Sequence, residues 1–134
     1  MNYLALMLVQ GHEGFRPKPY TDTAGKTTIG YGRNLTDVGI SHDEAVLLVY
    51  NDVETAERFL STYSWWRLLS TNRQACLIDM VVNVGQYAFQ AFVDLLNALG
   101  DAHFHDAADA MLDSAWAKEV PARAKNDADL MRAG

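Results

Sequence analysis

Pro17 and Pro19 exclude a helix from the stretch that follows Gly14, and this one interruption decides the class of fold. Tyr20-Thr21 and Thr27 to Tyr31 read as two short strands joined through Asp22-Thr23-Ala24-Gly25. A third strand or loop runs on to Gly39. Everything outside residues 15–38 carries helical patterning. The class is therefore α+β and mainly helical, a small β-lobe attached to a helical lobe.

The helices announce themselves by their ends. Asn2 can cap a helix from Tyr3 to about Gly11, and its apolar run predicts a core helix. Gly11 and Gly14 can supply a left-handed stop. Ser41-His42-Asp43-Glu44 is a capping box, in which the Ser hydroxyl and the Glu carboxylate each satisfy an end amide. The helix after it runs to about Thr62, with Ala45, Val49, Val53, Ala56 and Leu60 on one stripe. Ala75 to Val84 is apolar nearly all round, broken mainly by Asp79 and Asn83, as in a central buried helix ended by Gly85. A helix over Ala88 to Leu99, a segment capped by Asp101 and a last helix opened by Pro121 complete the chain. Of the Trp65-Trp66 pair, one ring is expected to pack and the other to stay partly exposed. At 134 residues these elements suit one domain: a lobe over about 12–42, a connecting helix over about 41–62, and a helical lobe of 1–11 plus 63–134.

Charge and cysteine content narrow the function. With 11 basic and 17 acidic residues the chain carries −6, which disfavours a general nucleic-acid binder. A polyanionic substrate would need local contacts, with Arg16, Lys18, Lys26 and Arg33 near the hairpin as candidates. The single cysteine, Cys76, excludes an internal disulfide and reads as a small buried apolar side chain. The apolar run from Tyr3 to Val9 is too short to span a bilayer and has neither a basic leader nor a cleavage site. Synthesis and folding in the cytoplasm without membrane insertion are expected. His103 and His105 with Asp106 and Asp109 match no closed metal site, so neither metal nor cofactor is expected.

Two carboxylates and a hydroxyl remain around the hairpin. Glu13 ends the first helix, where the macrodipole disfavours negative charge by a few tenths to about 1 kcal/mol; a carboxyl so placed suits proton donation. Asp22 follows nine residues later and Thr28 six after that. Asp22 is also a good turn former and Thr28 a good strand residue. Gly30 and Gly32 alternate with Thr28 onto one face, where bare backbone offers a floor for a sugar chain. Asn83 can exchange hydrogen bonds with an N-acetyl group, and Asn34 can line the opposite edge.

Residues 12–32 resemble the active-site segment of the phage-type lysozymes, the T4 lysozyme family of muramidases. The shared pattern is Glu13-Gly14, then Tyr20-x-Asp22-x-x-Gly25, then Thr28-Ile29-Gly30-Tyr31-Gly32. Asn83-Val84-Gly85, Trp116 and Pro121-Ala122-Arg123-Ala124 extend the likeness through the chain. The resemblance implies a lysozyme-like fold and hydrolysis of the β-1,4 bond between N-acetylmuramic acid and N-acetylglucosamine in peptidoglycan. It implies Glu13 as general acid, an ionised Asp22 facing the anomeric carbon, and Thr28 holding the attacking water. An inverting reaction would set the carboxyls about 6.5–9.5 Å apart. It further implies that Arg123 reaches Glu13. Arg33 stands where relatives often carry histidine, and it is expected to pair with Asp52. A monomer, dependent on a separate membrane-permeabilising protein, follows from the same likeness. The competing readings are a non-hydrolytic wall-binding module of the same fold and a chitin-oligomer hydrolase.

Overall fold

A computed structural model describes all residues from Met1 to Gly134. The chain divides into two compact units, Met1–Leu47 and Leu48–Gly134.

The first unit opens with α1 (Tyr3–Glu13), whose N-cap Asn2 accepts from the Ala5 amide through Oδ1 at 3.1 Å. Gly14, with φ 69°, ends it. Three strands follow in the order β1 (Arg16–Thr21), β2 (Thr27–Gly30) and β3 (Arg33–Asn34), all antiparallel. β1 is longer than the sequence suggests, because it is an edge strand and edges tolerate Pro17 and Pro19. The pairing Ile29↔Arg33 leaves Gly30, Tyr31 and Gly32 to make the second turn, with both glycines left-handed at φ 67° and 74°. This corrects the expected shared face. The alternation that starts at Thr28 stops at Gly30, and Gly32 belongs to the turn.

α1 also departs from expectation. None of its residues is buried, and Tyr3, Leu4 and Met7 are widely exposed. The first unit gives it no apolar layer to cover, since the unit's one buried residue is Thr28.

α2 (His42–Leu60) starts in the first unit and continues into the second. Its capping box is formed: the Ser41 amide donates to Glu44 Oε2 at 2.7 Å, and the Glu44 amide donates to Ser41 Oγ at 3.2 Å. Of its apolar stripe only Ala56 and Leu60 are buried.

The second unit adds a 3-10 turn (Trp66–Leu68), α3 (Thr71–Val84), α4 (Gln86–Phe89), α5 (Val93–Gly100), α6 (Phe104–Leu112), α7 (Ala115–Glu119) and α8 (Pro121–Ala133). Its core joins Leu60, Leu77, Met80, Phe89, Leu95, Leu99, Met111 and Met131. Cys76 is buried as expected, and burial pushes its thiol pKa up to about 12. Both Trp65 and Trp66 are buried, at 8% and 5% exposure, correcting the expectation of one free ring. Trp65 stacks on Tyr63 at 4.8 Å and Trp66 joins the core directly, so the chain reversal between α2 and α3 turns both inward. The helix expected over Ala88–Leu99 is two, α4 and α5, broken where Phe89 and Phe92 approach to 6.5 Å.

Candidate active site

The Asp22 turn is built by its own side chain. Oδ1 accepts from the amides of Ala24 at 2.9 Å and Lys26 at 2.8 Å, while the Asp22 amide donates to the Lys26 carbonyl. Both amides fall on one oxygen, so the carboxyl is fixed in direction while Oδ2 stays outside the turn's bonding. Thr28 follows on β2, opposite Tyr20 on one side and Asn34 on the other. It is buried at 3% exposure, and its Oγ1 donates to the Lys26 carbonyl at 3.2 Å. The hydroxyl lone pairs remain available to accept a bond, for instance from water.

Glu13 comes from the end of α1, and its carboxyl lies directly against the bare Cα of Gly32. A Cβ built there would stand 2.5 Å from the Glu13 Cδ and 2.9 Å from its Cγ. The acid, the turn aspartate, the strand hydroxyl and the left-handed glycines thus all lie in one unit, within residues 13–32. Asn34 is committed differently from expectation. Its Oδ1 accepts from the Asp37 amide and its Nδ2 donates to Asp37 Oδ2, both at 2.9 Å, so it shapes the turn after β3.

Arg33 forks onto Glu44, with Nη2 to Oε1 at 2.6 Å and Nη1 to Oε2 at 2.9 Å, correcting the expected pairing with Asp52. Glu44 is already turned back by the capping box, and that orientation presents both oxygens to the guanidinium. The bonds from Arg33 and from the Ser41 amide lower the Glu44 pKa to about 2.

Asp52, Asn83 and Arg123 belong to the second unit. Asp52 lines a shallow groove of about 200 Å³ with Val81 and Gly85. Asn83 Oδ1 accepts from Trp116 Nε1 at 2.7 Å, which orients the amide and seats the buried indole. Arg123 is forked onto Asp79 instead of the expected Glu13, with Nε to Oδ2 at 2.6 Å and Nη2 to Oδ1 at 2.7 Å. α8 faces α3 here, and the interruption of α3's apolar surface at Asp79 was the sequence signal for a partner.

One group passed unnoticed in the sequence. Asp127, one turn after Arg123, is 4% exposed and its Oδ2 has no hydrogen-bond partner. Burial, then the Asp79 charge beside it, push its pKa up to about 7. Asp79 moves the other way, its pKa lowered chiefly by the bonds from Arg123. The available signal was its place between Ala124 and Ala128, both buried.

Comparison with known proteins agrees with this segment. The phage lysozyme family matches residues 10–128. An endolysin of Acyrthosiphon pisum secondary endosymbiont phage 1 is 32% identical over 88 residues, covering 63% of this chain and 59% of that protein. The chain therefore spans about three-fifths of the length of that curated relative. No helix is long and apolar enough to cross a membrane. With a match that takes in the hairpin, both glycine turns and the helices as far as residue 128 in α8, the chain belongs to the phage lysozyme family.

Proposed function

We propose that the protein is a peptidoglycan-lytic endolysin that hydrolyses the β-1,4 bond between N-acetylmuramic acid and N-acetylglucosamine. The observation that carries this reading is the placement of the Glu13 carboxyl against the same hairpin that fixes Asp22 and buries Thr28. Family membership and the endolysin relative support it.

In this mechanism Glu13 protonates the glycosidic oxygen as the bond breaks. The Asp22 carboxylate, held through Oδ1, offers Oδ2 to the positive charge that develops at the anomeric carbon. A water that donates a hydrogen bond to the Thr28 hydroxyl and is held by Asp22 attacks the opposite face and passes a proton to the Asp22 carboxylate, which inverts the anomeric centre. Gly30 gives the sugar access to bare backbone; in the second unit, Asn83 is oriented by Trp116 and keeps its Nδ2 as a hydrogen-bond donor. The enzyme works as a monomer without cofactor, and a separate membrane-permeabilising protein gives it access to the wall.

A turbidity assay on outer-membrane-permeabilised Gram-negative cells tests the reading. The wild-type protein clears the suspension and Glu13→Gln does not. Equal clearing by both would reject it.

A further inference from the structure

Glu13 lies against Gly32, a contact that links the acid to a part of the hairpin that has no reacting group. Any L side chain at Gly32 would put its Cβ inside the Glu13 carboxyl, closer than the 3.0 Å that such atoms essentially never breach. Gly14, Gly25, Gly30 and Gly39 share the left-handed conformation, yet a Cβ on each would meet nothing within 4 Å. Left-handed backbone therefore explains glycine at all five positions. Only at Gly32 does a second requirement apply, and that requirement is Glu13.

The residue after Gly32 is held by three side-chain hydrogen bonds. Arg33 holds Glu44 with both ends of its fork, and its Nη1 also donates to the Gly39 carbonyl at 3.2 Å. Glu44 is in turn the N-terminal anchor of α2 through Ser41. The Gly30-Tyr31-Gly32 turn is thus fixed on its far side to a helix end. On its near side Tyr31 rests on Phe15, two residues after Glu13, with ring centroids 5.4 Å apart.

We infer that Gly32 is a positioning residue for Glu13: its missing side chain makes the seat of the carboxyl, and the Arg33–Glu44 fork holds that seat in place. This rests on the reading of Glu13 as the proton donor. A proton donor must stay within a narrow range of position and angle to be effective. What fixes Glu13 within the unit is packing on a clamped turn. A Cβ in the seat displaces the carboxyl while the backbone of the turn stays in place.

The test compares two alanines at equivalent backbone. Gly32→Ala and Gly85→Ala both place a Cβ at positive φ, 74° and 85°, so both carry the same kind of strain. Only the first meets Glu13; Gly85 lies in the second unit and a Cβ there meets nothing within 4 Å. On purified peptidoglycan, Gly32→Ala is expected to lose kcat on the order of 10²-fold with KM little changed. Gly85→Ala should stay near wild type. Arg33→Lys, which keeps the charge but loses the fork, should also lower kcat and leave KM. In parallel, the carboxyl carbon-13 signal of Glu13 should move in Gly32→Ala and stay in Gly85→Ala. Equal losses in both alanine variants, or an unmoved Glu13 signal in Gly32→Ala, would overturn the inference. A wild type that fails to cut peptidoglycan would instead overturn the functional reading, and the carboxyl signal alone would then decide the seat.

Discussion

The two units are stabilised by different physics. Every buried hydrophobic residue lies in the second unit, from Ala56 to Met131, whereas the first buries only the polar Thr28. The first unit keeps its shape through a turn aspartate, a capping box and an ion-pair fork. The lesson is a division of labour. The proposed chemistry stands on a polar frame with little apolar core, while the apolar core lies in helices that present few polar groups inward. Changes in the polar frame are therefore expected to act locally, and changes in the helical core to lower global stability.

The largest effect should come from opening the helical core. Leu77 is fully buried on α3, and Leu77→Ala should cost about 2–5 kcal/mol. Chemical denaturation followed by tryptophan fluorescence measures it, since Trp65, Trp66 and Trp116 all lie in the second unit. Unchanged fluorescence stability would break the contrast.

Next comes the one polar group that the core does bury. Asp127 has a folded pKa of about 7 against an ordinary 3.8, so the folded protein holds a proton that the unfolded chain releases between these values. Its contribution to stability is full below about pH 4 and is lost as pH rises through 7. The slope can approach about 1.4 kcal/mol per pH unit for one proton. Asp79 acts oppositely: its lowered pKa gives stability above the ordinary carboxylate range that acid removes. Thermal melts should therefore fall between about pH 4 and 7 in wild type and level off above, and Asp127→Asn should flatten that fall. A parallel pH curve in the variant would contradict the assignment.

Much of this was legible before any coordinates. Asn2, the Ser41–Glu44 box and Pro121 act at helix ends through bonds between near neighbours, and such local chemistry is written in the sequence. The α+β class followed equally directly from Pro17 and Pro19. Partners distant in the chain were less accessible. Arg33 and Arg123 were recognised as paired residues, but the choice of Glu44 and Asp79 depends on how the elements dock. The burial of Trp65 and Trp66 and the break between α4 and α5 arise from aromatic packing, with no glycine or proline to mark them. The exposure of α1 was hidden because an apolar run looks the same whether or not a layer exists to cover it. Gly32 was noticed for its missing side chain, but the use of that space by Glu13 needed three dimensions.

The smallest effect should lie in the polar frame itself. The Arg33–Glu44 pair is partly exposed, at 40% and 41% of the two side chains, so its loss should be felt locally. In Glu44→Gln, amide exchange should quicken around Gly39 to Ser41 while tryptophan-monitored stability stays level. A double-mutant cycle should find coupling for Arg33 with Glu44 and none with Asp52. Coupling to Asp52 would restore the pairing that the fork replaces.

The proposed activity depends on Glu13 as the proton source for cutting a glycan strand. Digestion of purified peptidoglycan, with product ends read by mass spectrometry, addresses it most directly. Wild type should release fragments with new N-acetylmuramic acid reducing ends, and Glu13→Gln should release essentially none. The same fragments at the same rate from Glu13→Gln would contradict the account.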